Sequence, residues 1–402
     1  MKRRVDDLAI FGGEAAFLHP LFVGRPNAID RGRLFERLNW ALDNHWLTNG
    51  GPLSTEFESR IAELAGVRYS VATCNATSAL QLLAHAAGLT GEVVMPSLTF
   101  AATAHSMRWL GLEPVFCDID PATGCIDPAA AEAAVTERTS AIIGVHLWGR
   151  TCDTEKLEKV AADRGVRLFF DAAHALGCTR SGRAVGSFAD AEVFSFHATK
   201  VVNAFEGGAV VTDDRELAER VRALQNFGIG LSEVCDAGGT NAKMSEASAA
   251  MGLTSLDAFA ESIRRNKANH ELYRSELDRL TGVAVMEFAH DERNNYQYVV
   301  IEIDEDATGI SRDLLRQVLL AEQVMTKPYF SPPCHQLEPY RSRNPVRLPH
   351  TERLSARVLT LPNGTGVGAE DVRRVSNIIR VAVTHGAEVT ARSQRLSPGG
   401  NA

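Results

Sequence analysis

The chain has 402 residues, of which 45% are hydrophobic, and a formal net charge of −8. That length supports a large core, as two domains or as one large domain with a smaller appendage. The acidic balance speaks against a nucleic-acid binder, which would carry a basic face, and no stretch approaches the ~20 consecutive apolar residues of a membrane-spanning helix.

The first residues, MKRRVDDLAI, begin basic and turn acidic without an apolar core, so no secretory signal is expected there. Short apolar runs then alternate with helical patterns. SALQLLAHAAGL (78–89) reads as a helix, and EVVMPS (92–97), PVFCDID (114–120), SAIIGVHLW (140–148), VRLFFDAA (166–173) and EVFSF (192–196) read as buried strands. TEKLEKVAADRG (154–165) reads as a helix closed by Gly165. This alternation predicts an α/β fold with a mostly parallel sheet flanked by helices. RELAERVRALQNFG (215–228) is an amphipathic helix, and a long helical pattern follows over about 255–280. Beyond it the composition shifts. A strand at YQYVVIEID (296–304), a helix over 311–323 and a last helix over about 368–384 describe a smaller α+β domain. The expected division is a large domain over 1–265 with an N-terminal arm, a small domain over 266–387, and a polar, disordered tail over 388–402.

The cysteines Cys74, Cys117, Cys125, Cys152, Cys178, Cys235 and Cys334 are odd in number and scattered, with no CxxC. Neither a disulfide framework nor a metal site is expected, and a reducing, cytoplasmic setting fits.

The chemistry gathers in four stretches. In FSFHATKVVNAFEGGAVVT (194–212), Lys200 sits among apolar and small residues. Burial there would lower its pKa toward the reactive neutral amine. In VRLFFDAAHALG, Asp171 directly follows an apolar strand, where open α/β sheets bind ligands. By itself it reads as readily as a helix-capping or turn aspartate. In VATCNATSALQLL, Ala76 and Thr77 open a helix whose free N–H groups suit an anion, or simply make a capping turn. Ser195 could donate to the same anion or be a plain strand serine. Phe100, in PSLTFAATAH, offers a flat face for a ring or packs in the core. Their order along the chain is more telling than any one of them. An anion cup, an aromatic face, a strand-end acid and then a lysine form the layout that a pyridoxal phosphate site requires.

With these residues in view, the chain resembles the DegT-type sugar aminotransferases, which have the aspartate-aminotransferase fold (fold type I of the pyridoxal phosphate enzymes). The likeness covers about residues 25–385. LTNGGPLSTEFE resembles the family's N-terminal glycine-containing loop, and VVMPSLTFAATAHSM its PSFTFIATA stretch. DAAHALG resembles EDAAQAHG, FSFHATK resembles FSFxxxK, GTNAKMSEASAAMGL resembles GxNxRMSExxAAxGL, and VLTLPNG resembles VLSLP. The resemblance implies that Lys200 forms the Schiff base and that Asp171 partners the pyridinium nitrogen. It implies Phe100 on the cofactor ring and Ala76, Thr77 and Ser195 on its phosphate. Asn241 matches a phosphate contact that reaches over from the neighbouring subunit, which implies a homodimer with shared active sites. Position 174 is commonly glutamine, holding the phenolic oxygen; here it is His174, whose tautomer and charge the sequence leaves open. NATS replaces the common NGT, so Ala76 is expected to adopt a conformation easier for glycine.

The family moves an amino group from L-glutamate to a nucleotide-linked keto sugar. FHATKVVNAFEGG, HLWGR and DAAHALG resemble the enzymes that aminate C4 of dTDP-4-keto-6-deoxy-glucose, which belong to routes toward glycosylated antibiotics or surface polysaccharides. Amination at C3, or a UDP- or GDP-linked sugar, are the alternatives within the family; the base, the stereochemistry and the pathway stay open. His197, Tyr329, His335 and Thr48 are candidates for substrate contact. Lys200 speaks against a sugar dehydratase, in which histidine replaces it. With Asp171 and Ser195 it also speaks against a non-catalytic regulator. The missing GxGxxG after a first strand speaks against a Rossmann dehydrogenase.

Overall fold

A computed structural model describes residues 1–229, 238–343 and 345–396, so Cys235 lies outside the described residues. Seven strands form the main sheet: β1 (Tyr69–Thr73), β2 (Glu92–Pro96), β3 (Glu113–Cys117), β4 (Thr139–Val145), β5 (Arg167–Asp171), β6 (Ala191–Ser195) and β7 (Gly208–Thr212). They lie in the order β1-β7-β6-β5-β4-β2-β3. β7 runs antiparallel to both of its neighbours, and the pairs linking β6 through β3 are parallel. Every residue of β2 and β7 is buried, because helices cover both faces of the sheet. The α/β expectation is met, with one reversed strand.

The chain leaves the carboxyl end of β1 through Asn75 and enters helix α1 (Ala76–Ala86). β2 leads in the same way into α2 (Ala101–Trp109), whose N-cap position is Phe100. The helical pattern read over 255–280 is two helices, α3 (Glu246–Asp257) and α4 (Phe259–Leu277). They meet at Ala258, whose φ of −95° and ψ of 5° fall outside the helical basin. A periodicity count passes over such a one-residue joint, because apolar side chains resume on the far side.

α4 leads to an antiparallel sheet of β8 (Val283–Val285), β9 (Val299–Ile303) and β10 (Val358–Leu361), packed against α5 (Ala369–Thr384). Val299, Ile301, Leu359, Ile378 and Ile379 form its core, and the N-terminal arm crosses over to join it through Val5, Leu8, Phe17 and Leu21. The buried Glu322 carboxylate ties that arm down. It accepts N–H bonds from Ala9 (2.8 Å) and Ala16 (2.7 Å) and pairs with Lys2 Nζ at 3.1 Å.

The tail expected to be disordered from 388 is helical as far as Leu396, in α6 (Gly386–Leu396). Val389 is wholly buried, and Thr390 Oγ1 donates to the Gly309 carbonyl at 2.8 Å. One docked apolar residue and that long-range bond outweigh a polar composition. Cys117, Cys125, Cys152, Cys178 and Cys334 are buried thiols and Cys74 is half-buried. Among the described residues no helix is long and apolar enough to cross a membrane, and no cluster could hold a metal ion.

Candidate active site

The carboxyl ends of β1, β2, β4, β5 and β6 open onto a cleft of about 260 Å³, and Tyr298, just before β9, with Tyr329 and Phe330, between β9 and β10, close its other side. Asn75, Ala76, Thr77, Phe100, Asp171, His174, Ser195, Lys200, Tyr298, Tyr329 and Phe330 line it. Residues up to 255 positions apart in the chain thus meet because parallel strands all end at one rim.

Asn75 caps α1: its Oδ1 accepts the Ser78 N–H at 2.8 Å, and its own backbone is extended. The Ala79 N–H is taken by the Asn75 carbonyl. The N–H groups of Ala76 and Thr77 have no partner among the described residues, and they open onto the cleft at the positive end of the helix. Ala76 occupies the first helical position and is not among the residues with positive φ, so the strain expected there does not arise. Glycine is needed elsewhere. A Cβ on Gly208, in β7, would lie 2.5 Å from the Ala76 nitrogen, so the GlyGly after Glu206 lets that strand pass beneath the helix start. Ser195 Oγ accepts the His197 N–H at 3.4 Å, which leaves its hydroxyl proton free to donate.

Asp171 ends β5 and is 7% exposed. Its Oδ1 accepts the Ala173 N–H at 3.1 Å and its Oδ2 accepts the Thr103 hydroxyl at 2.7 Å. Lys200 faces it from the loop after β6. Burial pushes the lysine down to about 8, against the Asp171 charge, which draws it upward. Lys200 Nζ donates to the Tyr298 hydroxyl at 3.3 Å. Gln297 clamps the same loop on both sides: its Oε1 accepts the Val201 N–H at 3.0 Å, and its Nε2 donates to the Thr199 carbonyl at 3.2 Å. The small sheet thereby holds the reactive loop of the large one.

His174 is buried, and burial, followed by the Lys200 charge, holds its pKa well below the usual histidine range. Its Nδ1 receives the Trp148 N–H at 3.2 Å. A backbone N–H can only donate, so Nδ1 carries the lone pair and the proton of the neutral ring sits on Nε2. That settles both the charge and the tautomer. The loop that aims this N–H has Trp148 at φ 55° and only 1% exposed, an unusual backbone for a bulky residue held by burial.

Phe100 is 60% exposed at the rim, its ring 5.9 Å from that of Phe330. Tyr329 lines the cleft, and its hydroxyl is pushed up to about 12 by burial and then by Tyr298. His197 also lines it, with Nδ1 2.8 Å from Thr199 Oγ1 and Nε2 3.7 Å from Glu206 Oε1. His335 does not: it is 4% exposed and turned into the interior, with Nδ1 2.7 Å from Ser97 Oγ and Nε2 3.3 Å from Glu352 Oε1. Its side chain braces the segment after β2, and the expected substrate contact is dropped. Thr48 and Asn241 are exposed and outside this cleft. Tyr298, Phe330, Thr99 and Thr103 escaped the reading of the sequence. Thr99 and Thr103 lie in the PSLTFAATA stretch, where attention went to Phe100, and Tyr298 and Phe330 sit in runs with no motif of their own, so only convergence in the fold marks them.

The residues fit pyridoxal phosphate on chemical grounds. Two unpartnered helix N–H groups and a free hydroxyl suit a phosphate. An ionisable acid deep in the cleft suits a protonated ring nitrogen, and a lysine pushed toward neutrality suits an aldehyde.

Known proteins resemble this chain over most of its length. Residues 29–380 match the model of the DegT/DnrJ/EryC1/StrS aminotransferase family. A dTDP-4-amino-4,6-dideoxy-D-glucose transaminase of Shigella dysenteriae is 34% identical over 362 residues, covering 90% of this chain and 98% of its own. An enzyme of the same name from Escherichia coli is 34% identical over 342 residues, covering 84% and 91%. A crystal structure of DesI in the presence of its TDP-sugar product superposes with a TM-score of 0.95 at 65% identity, covering 97% of this chain and all of that one.

Proposed function

The chain belongs to the DegT/DnrJ/EryC1/StrS aminotransferase family, and from that premise we propose that it moves an amino group from L-glutamate to C4 of a dTDP-4-keto-6-deoxyhexose. The product is a dTDP-4-amino-4,6-dideoxyhexose. The observation that carries this reading is one cleft in which Lys200, Asp171 and the free N–H groups of Ala76 and Thr77 meet. The relatives named for that sugar support the choice of substrate.

Pyridoxal phosphate is the cofactor of the family, and when bound it supplies an electron sink for the charge that develops on the amine-bearing carbon. Ala76, Thr77 and Ser195 would hold its phosphate and Phe100 would cover its ring. His174 would give its Nε2–H to the phenolic oxygen, and Asp171 would hold a proton at the ring nitrogen. Lys200 Nζ moves a proton on and off the amine-bearing carbon of the substrate, which an amine with a lowered pKa does near neutral pH.

The cleft's own lining has one basic side chain outside its histidines, Lys200, yet glutamate, the nucleotide diphosphate and the cofactor phosphate are all anions. This mismatch leaves charge to be supplied by a second subunit and so supports a homodimer, in which Asn241 would serve the partner's cleft and Thr48 the entrance of one cleft or the other. The free thiols support a reducing cytoplasm, and the product chemistry suits the decoration of antibiotics or surface polysaccharides.

The test is turnover. Protein, pyridoxal phosphate and L-glutamate are offered a panel of nucleotide keto sugars, with products read by mass spectrometry and NMR. An amine at C4 of a dTDP-6-deoxyhexose is the expected result. An amine only at C3, or only on a UDP or GDP sugar, overturns the substrate while keeping the family.

A further inference from the structure

Asp171 is not alone at the bottom of the cleft. Its Oδ2 lies 2.7 Å from Thr103 Oγ1, and Thr103 Oγ1 lies 2.8 Å from Thr99 Oγ1. The three are 7%, 0% and 3% exposed. We propose that Thr103, backed by Thr99, is a positioning residue that keeps Asp171 an acceptor-only carboxylate aimed into the cleft. This rests on the reading of Asp171 as the partner of the cofactor's ring nitrogen.

The direction of the hydrogen bonds carries the argument. The Ala173 N–H can only donate, so Oδ1 is an acceptor. Each threonine has one hydroxyl proton. With Asp171 ionised, Thr103 donates to Oδ2 and Thr99 donates to Thr103, so every proton has an acceptor. If Oδ2 carried a proton, the order would reverse, with Asp171 donating to Thr103 and Thr103 to Thr99. The Thr99 proton would then need an acceptor, and its hydroxyl has no other partner among the described residues. A buried donor without an acceptor is costly. The chain of hydroxyls on Oδ2 therefore favours the ionised acid and, together with the Ala173 N–H on Oδ1, occupies one lone pair of each carboxylate oxygen, which fixes where the remaining ones point.

The same segment serves a second purpose. Phe100 is the N-cap position of α2, and its carbonyl accepts the Thr103 N–H at 3.1 Å. The residue that covers the ring and the residue that orients its acid thus belong to one helical turn, so ring face and acid keep a fixed spacing.

The experiment compares Thr103→Val, Thr103→Ser and Asp171→Asn with wild type. The apoproteins are titrated with pyridoxal phosphate for affinity, and the pH at which the bound cofactor's absorbance changes is recorded, along with kcat and KM. Losing a hydrogen bond to a charged group predicts on the order of 10- to 100-fold weaker cofactor binding in Thr103→Val, with a displaced absorbance transition. kcat should fall while KM for the nucleotide sugar holds, and Thr103→Ser, which keeps the hydroxyl, should return toward wild type. Wild-type affinity and transition in Thr103→Val, beside losses in Asp171→Asn, would overturn the proposal. So would a Thr103→Ser variant as impaired as Thr103→Val, since packing of the methyl would then be the cause. If Asp171→Asn itself behaves as wild type, it is the assignment of Asp171 that fails.

Discussion

Lys200 offers the sharpest quantitative test. Its amine is pushed from 10.5 to about 8, first by burial and in the opposite sense by Asp171. At pH 7.5 an amine of pKa 10.5 is neutral in about one molecule in a thousand. At a pKa of about 8 the neutral fraction is about a quarter, a gain of ~200-fold in nucleophile. The apoprotein is to be treated with an amine-directed aryl reagent across pH 6 to 11, with the Lys200 peptide quantified by mass spectrometry. Its labelling should inflect near 8, well below that of exposed lysines. Stability gives the same sign independently. Between about 8 and 10.5 the unfolded chain binds the proton that the folded chain has released, so the apoprotein gains stability from this group as pH rises through that window. The difference between wild type and Lys200→Met should carry that slope. Asp171→Asn removes the charge that raises Lys200, so the inflection should move lower still, even as turnover collapses. A Lys200 inflection near 10.5, or one that rises or stays put in Asp171→Asn, would refute the claim that burial opposed by Asp171 sets this amine.

Lys200→Ala should abolish transamination while retaining pyridoxal phosphate by non-covalent contacts; cofactor that survives gel filtration but is not fixed by borohydride reduction is the signature, and normal turnover would sink the mechanism. His174→Gln should keep most activity, because a side-chain amide also offers a neutral N–H, and ¹⁵N NMR of the wild type should show a single Nε2–H tautomer that does not titrate between pH 6 and 9. Gly208→Ala drives a Cβ to 2.5 Å from the Ala76 nitrogen, which should cost about 1–3 kcal/mol in thermal stability and more in cofactor affinity than in fold. Mixing Lys200→Ala with Asn241→Ala subunits should restore activity at one site per mixed dimer if Asn241 serves its partner, and none if it serves its own chain.

Five of the seven main-sheet strands were legible because a parallel sheet covered on both faces demands short, unbroken apolar runs, and the EVVMPS and VRLFFDAA stretches are that; the reversed strand Gly208–Thr212 was not read, because it begins at a GlyGly that marks a loop. Lys200, Asp171 and the α1 start were legible because each stands at a strand end or helix start, where small residues and turns expose polar groups. Three misreadings share a physical origin. His335 stood in a stretch that does come near the cleft, but the side to which a ring turns is decided by Ser97 and Glu352, 238 and 17 residues away. Ala76 was judged by analogy with glycine, whereas the close approach that needs a glycine falls on Gly208, in another strand. Residues 388–396 were judged by polarity, and one buried valine reversed the outcome.

By itself, then, the sequence determined the alternation of elements, the fold they build and the residue types at the rim, because hydrophobic period and local backbone chemistry act within a few residues. Only the tertiary structure decided which way hydrogen bonds run. The neutral Nε2–H form of His174 follows from a backbone N–H 26 positions away, and the carboxylate order at Asp171 follows from hydroxyls 68 and 72 positions away. Proton positions depend on which donor and acceptor are brought within about 3 Å, and that is a property of the folded chain.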